Sequence, residues 1–360
     1  MKLHIFNPEH DIALASGLSN FTAPHAAQQL RHDLGFLPAV WAGESDAVLV
    51  DDVEQAQRLW EKTAHQLHKL QLGGLPHPAI RTFLPWKQTF THAETPAIEP
   101  WGWNSALRAT LLRRGIPEEQ MPTLPQLNAI RQLSHRRTAA SLLPLLRTEG
   151  TIGEAFECQT EQQVETLLQQ YGQLVLKAPW SSSGRGLRFL SLGHTPLSMQ
   201  AGWFRNLVQT QGAVMVEPFY NKVKDFGMEF YSDGKGHIGY LGLSLFHTAN
   251  GAYTGNILAT ESSKEEIITR YIPIELLNSV KESICHHLSN VYNGHYCGPF
   301  GVDMMVTASP SAFLLHPCVE INLRRTMGHV ALALAPKDND LRYVMRIEYA
   351  NNYNLKINRL

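Results

Sequence analysis

Two hydrophobic periods alternate along this chain. Short continuous apolar runs at residues 3–6, 39–42 and 47–50 predict strands. Between them, residues 23–34 and 53–70 place apolar side chains every three or four positions and predict helices. Alternation of this kind predicts a small α/β domain. The pattern fails from 73 to 125, where Pro76, Pro78, Pro85, Pro96, Pro100, Pro117, Pro122 and Pro125 recur with Trp86, Trp101 and Trp103 among them. Prolines remove ladder donors, so packed irregular structure is expected there, with one helix at 105–114 and a domain boundary near 122–128. Beyond it the periods predict helices at 127–146, 161–170, 197–209 and 273–291, and a short one at 327–334. Strands are expected at 154–158, 213–217, 225–231, 237–246, 252–259, 300–306 and 313–322. The tail, 341–360, shows no decisive period. The fold class read from this order is α/β, turning α+β with antiparallel sheets in the C-terminal part.

The most unusual stretch is 174–188, LVLKAPWSSSGRGLR. An apolar run carries Lys177 to its end, a loop of small residues follows, and GLRFLS resumes an apolar pattern, so the stretch predicts a hairpin with a special loop. Ser181, Ser182, Ser183, Gly184 and Gly186 have no bulk to hold phosphate oxygens away from backbone N–H groups, and such a loop can wrap a polyphosphate. Lys177 adds a point charge and Arg185 a forked donor set. Taken alone, the stretch is equally a surface hairpin whose loop only turns the chain. Neither GxxxxGK[ST] nor GxGxxG occurs.

A second constellation is acidic. Asp303 interrupts the Val/Met strand in GPFGVDMMV, and Glu320 and Asn322 stand in CVEINLRRT. Residues two apart in a strand share a face, so Glu320, Asn322 and Arg324 point one way, and Val319, Ile321 and Leu323 fill the core side. Pairing the two strands would bring Asp303 beside Glu320 and Asn322. Two carboxylates and an amide oxygen make a hard partial shell that suits Mg²⁺, whose remaining ligands come from water and phosphate. The same spacing also fits the polar face of an amphipathic strand with Arg324 balancing Glu320. Between the constellations, Glu217 and Phe219 lie in a segment where a nucleotide base could dock. Asn7-Pro8-Glu9-His10-Asp11 is a polar turn at a strand C-terminal end, an edge where α/β sheets take ligands, although a capped turn reads the same. Trp101-Gly102-Trp103-Asn104 could line a substrate cleft, but is expected rather as an aromatic plug between domains.

Composition narrows the classes. At 360 residues, two or three domains are expected. A formal net charge of −1 argues against partners bound by bulk electrostatics, hence no nucleic acid and no membrane surface. No apolar run approaches the roughly 20 residues of a membrane span. The opening MKLHIFNPEHD meets acid and proline too early for a signal peptide. The cysteines Cys158, Cys285, Cys297 and Cys318 form no CxxC pair, as in a reduced cytoplasmic protein.

In their order and separations these residues resemble the ATP-grasp superfamily of carboxylate–amine ligases. VLKAPWSSSGRG is similar to its strand lysine and flexible phosphate loop, VEPFYNKVKDFGMEF to its adenine hinge and ribose acid, and GVDMMV with VEINLRR to its Asp, then Glu-x-Asn-x-Arg, signature. The resemblance covers residues 128 to 360. It implies a Rossmann-like domain over 1–125, which carries no matching motif and rests on analogy of order. An N-terminal lobe with the phosphate loop would span 126–215, and a C-terminal lobe with the Mg²⁺ site 216–360. It implies ATP and Mg²⁺ as cofactors. Arg136 stands where the family has its first nucleotide-binding lysine, and Lys177 matches the second. Ser181, Ser182, Ser183, Gly184, Arg185 and Gly186 match the loop over the γ-phosphate. Glu217 and Phe219 match the adenine hinge, and Asp225 replaces the usual ribose Glu. Asp303, Glu320 and Asn322 match the metal ligands, and Arg324 the arginine facing the phosphoryl group. The activity implied is ligation of small-molecule carboxylate and amine substrates, with self-association common. A kinase of the same fold and a non-catalytic nucleotide-binding module are the alternatives.

Overall fold

The computed structural model describes residues 1–74, 80–91, 95–181, 186–249 and 252–360. Its strands form three sheets in chain order. The first is parallel and holds β1 (Lys2–Ile5), β2 (Ala47–Val50), β3 (Thr82–Pro85) and β4 (Ala97–Pro100) in the order β3-β2-β1-β4. The order reverses between β1 and β4, so the loops after these two strands flank a topological switch point. The second sheet is antiparallel, β5 (Phe156–Cys158), β6 (Gln173–Lys177), β7 (Leu187–Ser191) and β8 (Val214–Pro218), in the order β5-β8-β6-β7. The third holds β9 (Lys222–Ser232), β10 (Ile238–Ala249), β11 (Ala252–Leu258), β12 (Gly298–Ala308), β13 (Phe313–Asn322), β14 (Tyr343–Ala350) and β15 (Asn352–Arg359). Its order is β13-β12-β9-β10-β11-β14-β15, antiparallel throughout. No helix among the described residues is long and apolar enough to cross a membrane.

Several expectations are corrected. Residues 39–42 are not a strand but lie in and after a buried 3₁₀ turn, Leu37–Val40, because Pro38 fixes φ and offers no ladder donor. The proline-rich region is not irregular throughout. It contributes β3 and β4, and Pro85 and Pro100 are their last residues, where the two edge strands tolerate a missing donor. The polar turn after β1 runs straight into a helix, His10–Ser16. The helix expected at 127–146 is broken. Thr123 and Gln126 form a capping box on Leu124–Leu133, and after a bend Arg137–Leu142 continues into a 3₁₀ turn holding Pro144. An unforeseen helix, Glu261–Ile268, starts at the Thr260 cap. The undecided tail is the β14–β15 hairpin, turned at Asn351 with φ +67°.

Burial explains how the sheets are joined. In β9, Phe226, Met228 and Phe230 are fully buried against helix Ile274–Tyr292 and the residues around Leu127–Leu146, while Asp225, Gly227 and Glu229 take the opposite face. The second sheet has its own core, from Cys158 to Val216. One face of the parallel sheet has its own core, around Leu3, Ile5, Leu49 and Leu111; the other is shared, and there Phe6, Leu37 and Trp60 pack with Leu258, Val330, Leu334, Met345 and Ile357. The first and third sheets are therefore welded by one apolar layer.

Helix His10–Ser16 is clamped at both ends. Arg131 Nε donates to the Leu14 carbonyl at 2.7 Å, and its guanidinium lies 4.1 Å over Trp180, whose Nε1 donates back to the Arg131 carbonyl at 2.9 Å. At the other end Asn7 Nδ2 donates to the Gly102 carbonyl at 2.9 Å. A Cβ at Gly102 would stand 2.6 Å from His10 Nδ1, so only glycine admits the helix this close. Arg131→Ala should lower the unfolding free energy by about 2 kcal/mol in urea denaturation, through lost packing and hydrogen bonds. An unchanged midpoint and slope would mean that the helix does not lean on this clamp.

Candidate active site

The register of β12 and β13 sets the acidic group: Asp303 pairs with Glu320 and Gly301 with Asn322. On the other side of β12, Gly227 faces Asp303 and Glu229 faces Gly301. A Cβ at Gly227 would sit 3.3 Å from Asp303 Oδ1, so the glycine leaves the carboxylate its room. Asn322 Nδ2 donates to Asp303 Oδ2 at 2.9 Å. Ile321 and Leu323 fill the core side, as the period of two predicts. Burial, followed by the like charges of Glu320 and Glu229, lifts the Asp303 carboxyl to about 8.

The basic group is built on the second sheet. Lys177 ends β6 and Glu217 lies diagonally across on β8, where they form a buried pair at 2.6 Å. Arg136 joins the two groups. Its Nη1 donates to the Ala178 carbonyl at 2.6 Å and to Ser181 Oγ at 2.9 Å, and its Nη2 to Glu320 Oε2 at 2.8 Å. One buried guanidinium thus spans from the base of the serine loop to the acidic strand. Cys318, buried on β13, lies between the groups: burial first, then Asp303 and Glu217, push its thiol up, and Lys177 opposes them. Burial and Lys177 likewise lower His316 to about 3.

The remaining expected residues fall as follows. Gly186 closes the loop: its carbonyl accepts from Ala178 N at 2.9 Å, and a Cβ there would press on Ser181 Oγ at 2.7 Å. Ser182, Ser183, Gly184 and Arg185 lie outside the described residues. Phe219 is half exposed beyond β8, edge-on to Phe189, and its N–H donates to the Gln173 carbonyl at 3.0 Å. Asp225 accepts from Lys222 at 2.6 Å and Thr248 at 2.5 Å. Trp101 packs between Phe6 and Trp41, while Asn104 caps helix Ser105–Arg113. Arg324 does not stand free. Its Nε and Nη2 donate to both oxygens of Asp11 at 2.8 to 3.1 Å, and Nη2 also donates to Asn322 Oδ1 at 3.0 Å.

Asp11 and Glu229 were not singled out by motif matching. Glu229 is buried with Oε2 2.9 Å from His329 Nδ1, and a side chain at Gly328 would overlap its carboxylate. Its signal was available: it sits in the phase of Asp225 and Gly227 inside an apolar strand. Asp11 carried only the weaker signal of a charged residue just past a strand end.

Among the described residues, no three His, Cys, Asp or Glu side chains converge closely enough to hold a metal ion by themselves. The donor set at Asp303, Glu320 and Asn322 is smaller but hard, and burial together with the like charge of Glu320 has lifted the Asp303 carboxyl toward protonation. That excess of negative charge fits a divalent cation that takes its other ligands from phosphate and water.

Neither a family model nor a curated protein matches this chain. Solved structures do. A biotin carboxylase from Campylobacter jejuni, in a β-γ-ATP complex, aligns over 96% of this chain and 75% of its own, with 12% identity and a TM-score of 0.52. The biotin carboxylase domain of Hydrogenobacter thermophilus 2-oxoglutarate carboxylase is a dimer with MgADP, ADP and bicarbonate. It aligns over 96% of this chain and 74% of its own, with 12% identity and a TM-score of 0.51. At such identity the likeness speaks for the fold alone.

The raised Asp303 carboxyl makes a pH prediction. Between 3.8 and about 8 the native protein keeps a proton that the unfolded chain has lost. The metal-free protein therefore loses stability as pH rises through this window. Asp303→Asn should remove that slope, so thermal unfolding of the two proteins should diverge between about pH 5.5 and 8, with the variant the more stable at the alkaline end. Parallel curves would show that Asp303 is ionised throughout.

Proposed function

We propose, taking the ATP-grasp fold as premise, that this protein is an ATP- and Mg²⁺-dependent ligase. It would join a small-molecule carboxylate to an amine or similar nucleophile through an acylphosphate. The observation that carries the reading is the Arg136 bridge, which ties Ser181, at the base of the serine loop, to Glu320 on the acidic strand. The nucleotides in the two neighbouring structures are the class of ligand such a cleft would take.

In this reading Lys177 binds the α- and β-phosphates, and Ser181 to Gly186 cover the γ-phosphate. Glu217 accepts from the adenine amino group, Phe219 borders the base, and Asp225 receives the ribose hydroxyls. Lys177 and Glu217 begin as a buried pair. A phosphate oxygen and an amino group would replace each one's partner, so neither charge is left buried and alone. Arg136 holds Glu320 and the loop base together. Asp303, Glu320 and Asn322 would hold Mg²⁺, which when bound neutralises charge on the transferring phosphate.

The substrate carboxylate attacks the γ-phosphorus, the bond to the β-phosphate oxygen breaks, and ADP leaves. The amine then attacks the acyl carbon, its proton passes to solvent or base, and inorganic phosphate leaves. The chain contributes position and charge rather than a nucleophile. A loop of small residues suits the exclusion of water from an acylphosphate. By analogy with the dimeric Hydrogenobacter domain, self-association is part of the proposal.

The test is ADP release over pools of carboxylates and amines. Asp303→Ala should abolish Mg²⁺-dependent release while the fold survives; Glu320→Ala should abolish it too, and should also lower stability because it leaves buried Arg136 without its carboxylate. Lys177→Ala should weaken ATP binding by about tenfold or more, read by calorimetry. Wild-type turnover in either acidic variant would remove the metal assignment, and a stable phosphorylated acid as the only product would make the enzyme a kinase.

A further inference from the structure

We propose that Asp11 is a positioning residue: from the N-terminal sheet it fixes the Arg324 guanidinium where that group serves the transferred phosphate. The inference rests on the ligase reading above and adds a residue that the ATP-grasp motifs do not supply.

Asp11 engages Arg324 as a fork, with Nε to Oδ1 at 2.9 Å and Nη2 to Oδ2 at 2.8 Å. Nη2 also donates to Asn322 Oδ1 at 3.0 Å, and Nη1 to the Arg325 carbonyl at 3.1 Å. These contacts set the plane of the guanidinium and leave one Nη1 hydrogen for another acceptor. Asp11 also lines a narrow cleft with Ser181, Glu320 and Asn322, between the loop base and the acidic strand.

A carboxylate gripping an arginine could instead be a movable plug that substrate displaces. The backbone argues against it. Helix His10–Ser16 is locked at its start by the Asn7–Gly102 bonds and the close His10–Gly102 approach. Near its end it is held by Arg131, which stacks on Trp180 beside the serine loop. A carboxylate on a helix held this way is a fixture.

The charge distribution gives the fixture a purpose. After Asp11, the carboxylate that acts most strongly on Arg324 is Glu320, with Asp303 following once that group ionises. Without Asp11, the guanidinium would be drawn toward Glu320, into the space a cation needs. Asp11 holds it back and keeps its charge available at one edge. The loops after β1 and β4 meet at the switch point of the parallel sheet, where this geometry can be set rigidly.

The experiment is a double-mutant cycle on the binding of inorganic phosphate, the expected product, to the MgADP complex of the full chain, read by calorimetry. Asp11→Asn and Arg324→Gln should each weaken phosphate binding by about tenfold or more, and the double variant should be no weaker than Arg324→Gln alone. Asp11→Glu, which keeps the charge and moves it by one methylene, should also weaken it and guards against a misfolded Asn variant. Phosphate affinity that is unchanged or tighter in Asp11→Asn, wild-type affinity in Asp11→Glu, additive losses, or no phosphate binding to the wild-type complex would each overturn the assignment while the ligase reading stands on MgADP binding. A wild-type chain that fails to bind MgADP removes the ligase reading, and this inference with it.

Discussion

The buried guanidinium of Arg136 is the constraint around which the cleft is arranged. It is held by Glu320 on the seven-stranded sheet and by Ala178 and Ser181 on the smaller one. Burying a cation is expensive unless it is paired and hydrogen-bonded, so its three acceptors must stay in reach. That requirement draws together two sheets whose apolar cores are separate. A lysine could make a point contact there, but not the flat fork that reaches loop and strand together.

The same rule repeats around the cleft. Lys177 is paired with Glu217, Lys222 with Asp225 and Arg324 with Asp11. The charged groups expected to meet a nucleotide begin neutralised by one another. Asp303 is the exception among the described residues, because the like charges of Glu320 and Glu229 act on it and the side chain that bonds it is an uncharged amide. The imbalance falls on the residue that a divalent ion would satisfy.

Much of this was legible in the sequence. A strand period of two placed Glu320 and Asn322 on one face and put Ile321 and Leu323 in the core, and the β12–β13 register brought Asp303 opposite Glu320 as expected. The hairpin carrying Lys177 was equally plain, since small residues flanked by β-formers leave few other folds. What escaped depended on tertiary contact. Prolines read as breakers because their position within an element is invisible to periodicity, and here they end edge strands. The run at 39–42 was apolar enough for a strand, but Pro38 turned it into a buried 3₁₀ segment. The partnership of Asp11 with Arg324 joins residues 313 positions apart, and no local pattern encodes it.

That long-range contact bears on what the N-terminal part contributes. A domain read only by its order in the chain looks like a separable neighbour. Here Phe6 and Trp60 share an apolar layer with Val330 and Met345, so the first sheet cannot drift relative to the third without opening a core. Helix His10–Ser16 leaves that sheet and ends against Arg131 and Trp180, at the base of the serine loop. It therefore touches the elements that carry the basic group and, through Arg324, those that carry the acidic one. A short helix of ordinary composition becomes the piece that fixes their separation, because its neighbours leave it one place to sit.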